Sequence, residues 1–171
     1  MTKKLGVATL GGGCFWCIEA IYKELNGVVN LKSGFSDGTE GSSDSVEAVQ
    51  FEFDSKIVKY EEIIDIFFHV HDPTTLNRQG YDVGREYRSV IFFHNVAQEK
   101  IAKKVMKDVE SEGIYEGKFV TEIIPYSSFQ EAAQFHQDFY ERNPEAAYCK
   151  VIIDPKMKKF REKYIDKLKK G

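Results

Sequence analysis

Hydrophobic periodicity switches along this chain between the two-residue repeat of strands and the 3.6-residue repeat of helices, and this switching constrains the fold more than any other feature. In residues 46–53, VEAVQFEF, the side chains of Val49, Phe51 and Phe53 share one face, as expected for a strand with one buried side. Strands are predicted at residues 5–10, 28–35, 46–53, 87–93 and 119–124, and helices at 15–25, 60–70, 97–111 and 129–141.

The predicted elements follow the order strand, helix, strand, strand, helix, strand, helix, strand, helix. Directly connected strands pair antiparallel, whereas strands joined by helices can pair in parallel, so the sheet should be mixed. We expect an α/β (α+β) two-layer sandwich with a ferredoxin-like βαββαβ core. Because 171 residues suit one hydrophobic core, we expect a single domain over residues 1–171.

The C-terminal tail, about residues 154–170, is strongly basic. Its segment 156–170 carries eight basic and two acidic residues, a net charge of +6, whereas the whole chain has −3. Such a tail could bind nucleic acid or an acidic partner. Phe160, Tyr164 and Leu168 recur at helical spacing, however, and favour a helix that docks on the body of the domain.

Composition indicates a globular protein without a membrane-spanning segment, and we expect no membrane and no nucleic acid among its partners. It is 42% hydrophobic and 30% charged, and no apolar run is long enough to span a bilayer. Lys3 and Lys4 precede only a short apolar stretch without a cleavage context, so we expect no export signal and a cytoplasmic monomer. Three cysteines, an odd number, argue against a secreted disulfide framework and point to metal binding or catalysis.

Cys14 follows Gly11, Gly12 and Gly13, at the point where a strand turns into a helix. The free N–H groups and partial positive charge of a helix N-terminus stabilise a thiolate, and this position predicts a lowered pKa for the Cys14 thiol. Glycines let the backbone approach the sulfur and its target closely. Cys14 is therefore predicted to be a nucleophile.

The spacing of Cys14 and Cys17 is compatible with other arrangements. The two cysteines could be inert and buried, could form a thiol redox pair, or could supply half of a zinc site completed by Cys149 and a histidine. A zinc site usually has a second closely spaced pair, and the chain has none. We expect no metal and no cofactor.

Phe15, Trp16 and Glu47 extend the site beyond the cysteine. Two bulky aromatic residues directly after a nucleophile cannot easily both enter one core, so at least one should line a pocket suited to a small apolar group such as a methyl. Glu47 falls on the apolar face of the strand at 46–53. Burial raises the pKa of such a carboxyl group, which could then donate a proton to an oxygen atom.

Three motifs resemble the signatures of class A peptide methionine sulfoxide reductases. They are GGCFW at residues 12–16, HDPTTLNRQGYDVGREYRS at 71–89 and FHQDFYERNP at 135–144. The resemblance implies reduction of methionine S-sulfoxide, free or in proteins, with thioredoxin as the reductant. It implies that Cys14 attacks the sulfur and becomes a sulfenic acid, that Glu47 protonates the oxygen, and that Phe15 and Trp16 hold the methyl group. Asp82 and Tyr87 match residues that orient polar groups around the sulfoxide.

The chain departs from the family pattern around residue 35. A GYSGG-like stretch of the family is GFSDG here, so Phe35 lacks the hydroxyl group that would bind the sulfoxide oxygen, and Tyr87 and Glu47 are expected to bind it alone. The family's GHAE is DSVE here, which leaves Glu47 in place relative to its strand.

The resolving thiol has two candidates. Cys149, in AAYCK, resembles a resolving cysteine of some family members and is expected on a flexible segment. Cys17 lies one helical turn from Cys14, where a disulfide can form. We favour Cys149. A thiol–disulfide oxidoreductase that uses Cys14 and Cys17, and a zinc- or peptide-binding module, remain as alternative functions.

Overall fold

The computed structural model describes residues 5–170. The strands in this range are β1 (Gly6–Gly11), β2 (Val28–Ser36), β3 (Val46–Phe53), β4 (Arg78–Gln79), β5 (Asp82–Val83), β6 (Val90–Phe93), β7 (Glu122–Pro125) and β8 (Phe129–Glu131). The α-helices are α1 (Phe15–Lys23), α2 (Tyr60–Val70), α3 (Val96–Ser111), α4 (Phe139–Arg142) and α5 (Asp154–Lys163).

Six of the strands form one mixed sheet in the order β7-β6-β1-β3-β2-β8. Its four central strands are antiparallel, and together with α1 and α2 they form the ferredoxin-like βαββαβ core. Strand β7 extends this core in parallel to β6, which makes the sheet mixed, and β8 pairs antiparallel with β2. The predicted two-layer α/β fold is confirmed, and β4 and β5 form a separate small hairpin.

Helices α1 and α2 cover one face of the sheet and enclose the main hydrophobic core. Tyr22 of α1 is fully buried, stacks on Phe51 of β3 with ring centroids 5.0 Å apart, and donates a 2.7 Å hydrogen bond to the carbonyl of Ile63 in α2. One side chain therefore ties both helices and the sheet together. A smaller cluster of Val46, Val90 and Phe92 is separate from this core.

The helix predicted at residues 129–141 is wrong. Strand β8 occupies its start, a 3₁₀ turn follows at Gln134–His136, and only the four residues of α4 are helical. The buried Gln137 side chain bonds to the backbone N–H and carbonyl of Ser33, and the buried Glu19 carboxylate accepts the N–H groups of Asp138 and Phe139. These long-range bonds satisfy backbone and side-chain groups that a continuous helix would orient differently.

Two predicted strands begin later than expected. A 3₁₀ turn at Arg85–Tyr87 precedes β6, so that strand starts at Val90, and β7 starts at Glu122. The C-terminal helix α5 ends at Lys163, not near residue 170. Phe160 and Tyr164 are buried as expected, and Leu168 docks through an isolated bridge to Leu25.

Among residues 5–170, no helix is both long and apolar enough to cross a membrane. The predicted strand at residues 5–10 lies almost wholly within β1, whereas Lys3 and Lys4 lie outside the described residues.

Candidate active site

Cys14 occupies the junction between β1 and α1. Its carbonyl oxygen accepts the N–H of Cys17 at 3.2 Å and so begins the helix. Gly13 has φ +95°, and a Cβ atom at this position would lie 2.6 Å from the Gln79 side chain. Only glycine suits both the left-handed backbone and the close contact, so the glycine determines how Cys14 enters the helix.

The pKa of the Cys14 thiol is raised, chiefly by burial and further by the negative charges of Cys17 and Glu47. The prediction of a lowered pKa is wrong because desolvation outweighs the helix N-terminus. The backbone N–H of Trp16 and the hydroxyl of Tyr148 act in the opposite direction and would stabilise a thiolate. Cys14 is therefore a thiol at neutral pH and must lose a proton in order to attack.

Glu47 is the group that can exchange protons next to this thiol. It lies on β3 opposite Phe35 of β2, and its Oε1 accepts the N–H of Phe15 at 3.2 Å. Burial, assisted by the charges of Glu86, Asp82 and Glu40, raises the pKa of Glu47 to about 7. The predicted raised pKa is confirmed, so Glu47 can carry a proton near neutral pH.

A cavity of about 500 Å³ joins these groups. Seven predicted site residues line it, namely Cys14, Phe15, Trp16, Phe35, Glu47, Asp82 and Tyr87. Six further lining residues were not predicted: Glu40, Gly41, Ser45, Glu86, His136 and Tyr148. A second cavity of about 520 Å³, between α2, α3 and the C-terminal tail, contains no cysteine.

Both aromatic residues after Cys14 line the cavity. Phe15 packs edge-on against Phe35 with ring centroids 5.6 Å apart. Trp16 stacks on Phe139 of α4 at 3.6 Å, and its Nε1 donates a 3.2 Å hydrogen bond to Nδ1 of His136. His136 and Phe139, which lie between β8 and α5, therefore fix the orientation of the indole. The indole forms a rigid apolar wall beside the thiol.

Tyr148 is a polar group of the cavity that the motifs do not reveal. Its hydroxyl donates a 2.7 Å hydrogen bond to Asp82 and lies 3.7 Å from the sulfur of Cys17, while its ring contacts Trp16 edge-on. Tyr87 lies in the 3₁₀ turn at Arg85–Tyr87. Burial, assisted by the nearby charges of Glu47 and Asp82, raises the pKa of its phenol. The cavity thus offers two neutral hydroxyl groups, and that of Tyr148 already donates its proton to Asp82.

A family model described as peptide methionine sulfoxide reductase matches residues 6–169. The chain belongs to this family. A relative from Saccharolobus solfataricus, named peptide methionine sulfoxide reductase MsrA, is 47% identical and aligns with 95% of this chain and 97% of its own length. An MsrA from Sulfolobus acidocaldarius is also 47% identical, over 94% of this chain and 96% of the relative.

Solved structures of the family have the same fold. Mxr1 from Saccharomyces cerevisiae in reduced form has a TM-score of 0.79 and 34% identity, and the match covers 85% of this chain and 90% of that chain. Mxr1 in complex with Trx2 has a TM-score of 0.61 and 30% identity, and the match covers 80% and 85%. The similarity therefore extends through the strands and helices that form the cavity.

The other two cysteines of this family member lie behind the cavity. Cys17 is 2% exposed, Cys149 is fully buried, and all three thiols are free. Burial raises the pKa of both buried thiols. Cys149 begins a π-helical turn, Cys149–Ile153, that continues into α5, so the expected flexible segment is ordered and packed in this state.

The alternative functions gain no support from this arrangement. Across residues 5–170, the only three-residue group of histidine, cysteine, aspartate or glutamate close enough to hold a metal is Asp65, His69 and Glu112, which includes no cysteine. A thiol–disulfide oxidoreductase needs an accessible pair, but Cys17 is buried. The cavity instead presents a single cysteine thiol, that of Cys14, beside the carboxyl group of Glu47.

Proposed function

We propose that this chain is a peptide-methionine (S)-S-oxide reductase that acts as one catalytic domain over residues 1–171, with its basic tail docked on that domain. The observation that carries the proposal is the meeting of Cys14, Glu47 and three aromatic rings in one cavity of about 500 Å³. Its catalytic residues are Cys14, Glu47, Asp82 and Tyr87, and its substrate-binding residues are Phe15, Trp16 and Phe35.

The methyl group of methionine sulfoxide lies against the aromatic residues Phe15, Trp16 and Phe35. The oxygen faces Glu47 and the hydroxyl of Tyr87, and the sulfur faces Cys14. A sulfoxide sulfur carries a methyl group, a methylene group, an oxygen and a lone pair, so it is chiral. Fixing the methyl and the oxygen while the sulfur faces Cys14 selects one epimer, which we propose to be S.

The chemistry follows from the two protonated groups. Glu47 donates its proton to the sulfoxide oxygen, and the Cys14 sulfur attacks the sulfoxide sulfur while the thiol proton passes to the Glu47 carboxylate. The attack forms a sulfur–sulfur bond; as the hydroxyl group passes to the Cys14 sulfur, this bond and the sulfur–oxygen bond of the substrate both break and methionine is released. Methionine is reduced by two electrons, Cys14 is oxidised to a sulfenic acid, and Glu47 ends protonated as it began.

Polar groups of the cavity orient the reacting atoms. Asp82 accepts the Tyr148 hydroxyl and so holds it toward the cysteines, while Tyr87 presents its hydroxyl from the 3₁₀ turn. The N–H of Trp16 is aimed at the Cys14 sulfur and stabilises the thiolate as it forms.

Recycling requires a second thiol, and we propose Cys149, with Cys17 as the alternative. The thiolate attacks the sulfur of the sulfenic acid, the sulfur–oxygen bond breaks, water leaves and a disulfide forms. A thioredoxin dithiol then reduces the disulfide and is itself oxidised. The solved complex of yeast Mxr1 with Trx2 supports this partner. The chemistry needs a reducing compartment, and we place the protein in the cytoplasm as a monomer.

A single turnover tests the proposed function. Fully reduced protein is mixed with one equivalent of a blocked peptide that contains methionine S-sulfoxide, and methionine and free thiols are counted. We expect one methionine formed and two thiols lost. The Cys14→Ser variant and the R-sulfoxide peptide should give neither, and insulin disulfides should not be reduced. No methionine from the S-sulfoxide, with three thiols intact, would disprove the activity.

A further inference from the structure

Four carboxyl groups surround the cavity: those of Glu40, Glu47, Asp82 and Glu86. The lining includes no lysine and no arginine. Its one histidine, His136, has its pKa lowered by burial and is neutral at pH 7. The charged groups that line the site are therefore acidic, although the chemistry described above uses only one acid.

Two of the four carboxyl groups already have a role. Glu47 is the proton donor, and Asp82 accepts the Tyr148 hydroxyl. Glu40 and Glu86 are exposed, and neither carboxylate forms a hydrogen bond or an ion pair with any residue of the described range 5–170. Both are close enough to raise the pKa of Glu47. Their negative charges thus reach the reacting groups and remain available to a ligand.

The backbone beneath both carboxylates is anchored. The N–H of Glu40 donates to the Gln130 side chain at 2.9 Å, which ties its loop to β8. Glu86 lies in the 3₁₀ turn at Arg85–Tyr87, where the buried Arg88 guanidinium donates to the Arg85 carbonyl at 3.1 Å. The two residues are therefore anchored through the backbone on two different chain segments that both line the cavity.

The nearest exposed cation does not cancel them. Arg85 precedes Glu86, but its guanidinium pairs with Asp44 at 3.4 Å and donates to the Ser43 carbonyl, and it does not line the cavity. The charged side chains that line the cavity are therefore all carboxylates, and Glu40 and Glu86 are the exposed ones.

We propose that Glu40 and Glu86 select methionine sulfoxide residues flanked by lysine or arginine and disfavour those flanked by carboxylates. This inference rests on the proposed function and names its substrate class. A methionine side chain that reaches the aromatic wall leaves its neighbours in sequence at the mouth of the cavity, where the two carboxylates lie. Free methionine sulfoxide carries an ammonium and a carboxylate on the same carbon, so its attraction and repulsion largely cancel.

The expected effect is moderate because both carboxylates are exposed. Two solvent-exposed ion pairs change kcat/KM by about three- to tenfold between a lysine-flanked and a neutral peptide. Repulsion from glutamate flanks acts in the opposite direction by a similar factor. Since exposed charges are screened by salt, the preference should fall markedly between about 0.05 and 0.5 M ionic strength.

Three blocked peptides test the proposal, each with methionine S-sulfoxide flanked on both sides by lysine, glutamine or glutamate. We expect kcat/KM to decrease in that order for the unaltered protein and the order to flatten in the Glu40→Gln/Glu86→Gln double variant. The ratio of lysine to glutamate peptide within each protein is the readout, so any common effect on Glu47 cancels. A Glu116→Gln/Glu162→Gln variant makes the same charge change at exposed sites that do not line the cavity and should keep the ratio.

A binding measurement separates this proposal from the proposed function. Trp16 is the only tryptophan and lines the cavity, so its fluorescence reports binding of the same peptides to the Cys14→Ser variant. If the affinities decrease in the order lysine, glutamine and glutamate peptide, the selection is supported. If in addition the unaltered protein reduces none of the peptides, only the reductase activity is rejected. Equal affinities and equal kcat/KM values, or an order that persists in the double variant, overturn the selection and leave the reductase standing.

Discussion

The backbone N–H of Phe15 donates a hydrogen bond to the carboxyl group of Glu47 at 3.2 Å. The residue that follows Cys14 therefore holds Glu47 in place, and the second carboxyl oxygen of Glu47 is left to carry a proton. The geometry of the reaction thus depends on the contact between the start of α1 and the start of β3.

Replacing Glu47 with glutamine should reduce kcat by about 10²- to 10⁴-fold, the usual contribution of a general acid. The amide oxygen can still accept the N–H of Phe15, so circular dichroism and the thiol count should be unchanged. For the unaltered protein, kcat/KM should fall as pH rises through about 7, because the acid form of Glu47 is lost there. Steady-state kinetics from pH 5.5 to 9 measure both effects, and a variant that keeps this alkaline decrease would contradict the role.

The Cys149→Ser variant should form methionine in a single turnover but lose only one thiol, because its sulfenic acid has no resolving partner. Thioredoxin-dependent turnover should fall at least about tenfold. The matched Cys17→Ser variant should lose two thiols and keep turnover. Mass spectrometry of trapped sulfenic acid and disulfide distinguishes the two variants. Normal thioredoxin-dependent turnover by the Cys149→Ser variant would show that Cys17, not Cys149, is the resolving cysteine.

The Phe35→Tyr variant should raise kcat/KM for methionine S-sulfoxide by about three- to tenfold, the value of one added hydrogen bond. Phe35 lines the cavity opposite Glu47, so the new hydroxyl can donate to the sulfoxide oxygen. The control Phe35→Leu removes the ring contact with Phe15 and should raise KM instead. An unchanged kcat/KM in Phe35→Tyr would show that the oxygen is already fully bound.

The Glu19→Ala variant should lower the free energy of unfolding by about 2–4 kcal/mol, because one buried and two half-buried donors lose their acceptor. These donors are the Ser33 hydroxyl and the N–H groups of Asp138 and Phe139. Since Phe139 stacks on Trp16, the fluorescence of Trp16 should also change and KM should rise. Urea unfolding measures the loss, with the exposed Glu116→Ala as the control expected to be neutral.

His71 should make the protein less stable as pH falls from 6.5 to about 4. Burial lowers the pKa of this histidine to about 4, so between these values the unfolded chain binds a proton that the folded chain does not. The free energy of unfolding should fall by about 3 kcal/mol across this window through His71 alone. The titration of Glu47 has the opposite effect on stability. Because burial raises its pKa, the folded chain binds this proton at a higher pH than the unfolded chain, and the free energy of unfolding rises as pH falls.

Urea unfolding at pH 4.5 and 7 in the Glu47→Gln background removes the opposing titration of Glu47. Other groups with shifted pKa values, such as His94 and His136, contribute equally with and without His71→Gln, so comparing the two proteins gives the effect of His71. The slope of stability against pH should decrease when His71→Gln is added to that background. An unchanged slope would mean that His71 does not titrate on unfolding.

The periodic segments were predictable because their side-chain pattern is local. Helix α2 at Tyr60–Val70 and strand β3 at Val46–Phe53 agree with the predicted ranges, and their order identifies the βαββαβ core. The segment at residues 129–141 was not predictable in the same way. Its structure depends on Gln137 and Glu19, side chains that reach groups far away in the sequence.

The sequence by itself determined the nucleophile position, the acid on the buried face of its strand and the aromatic residues of the cavity, because motifs and two-residue periodicity are properties of neighbouring residues. Only the tertiary structure decided that the pKa of Cys14 is raised and that Tyr148 lies beside Asp82. It also decided that Glu40 and Glu86 flank one cavity. Burial and the meeting of distant segments are set by packing of the whole chain, and no local pattern encodes them.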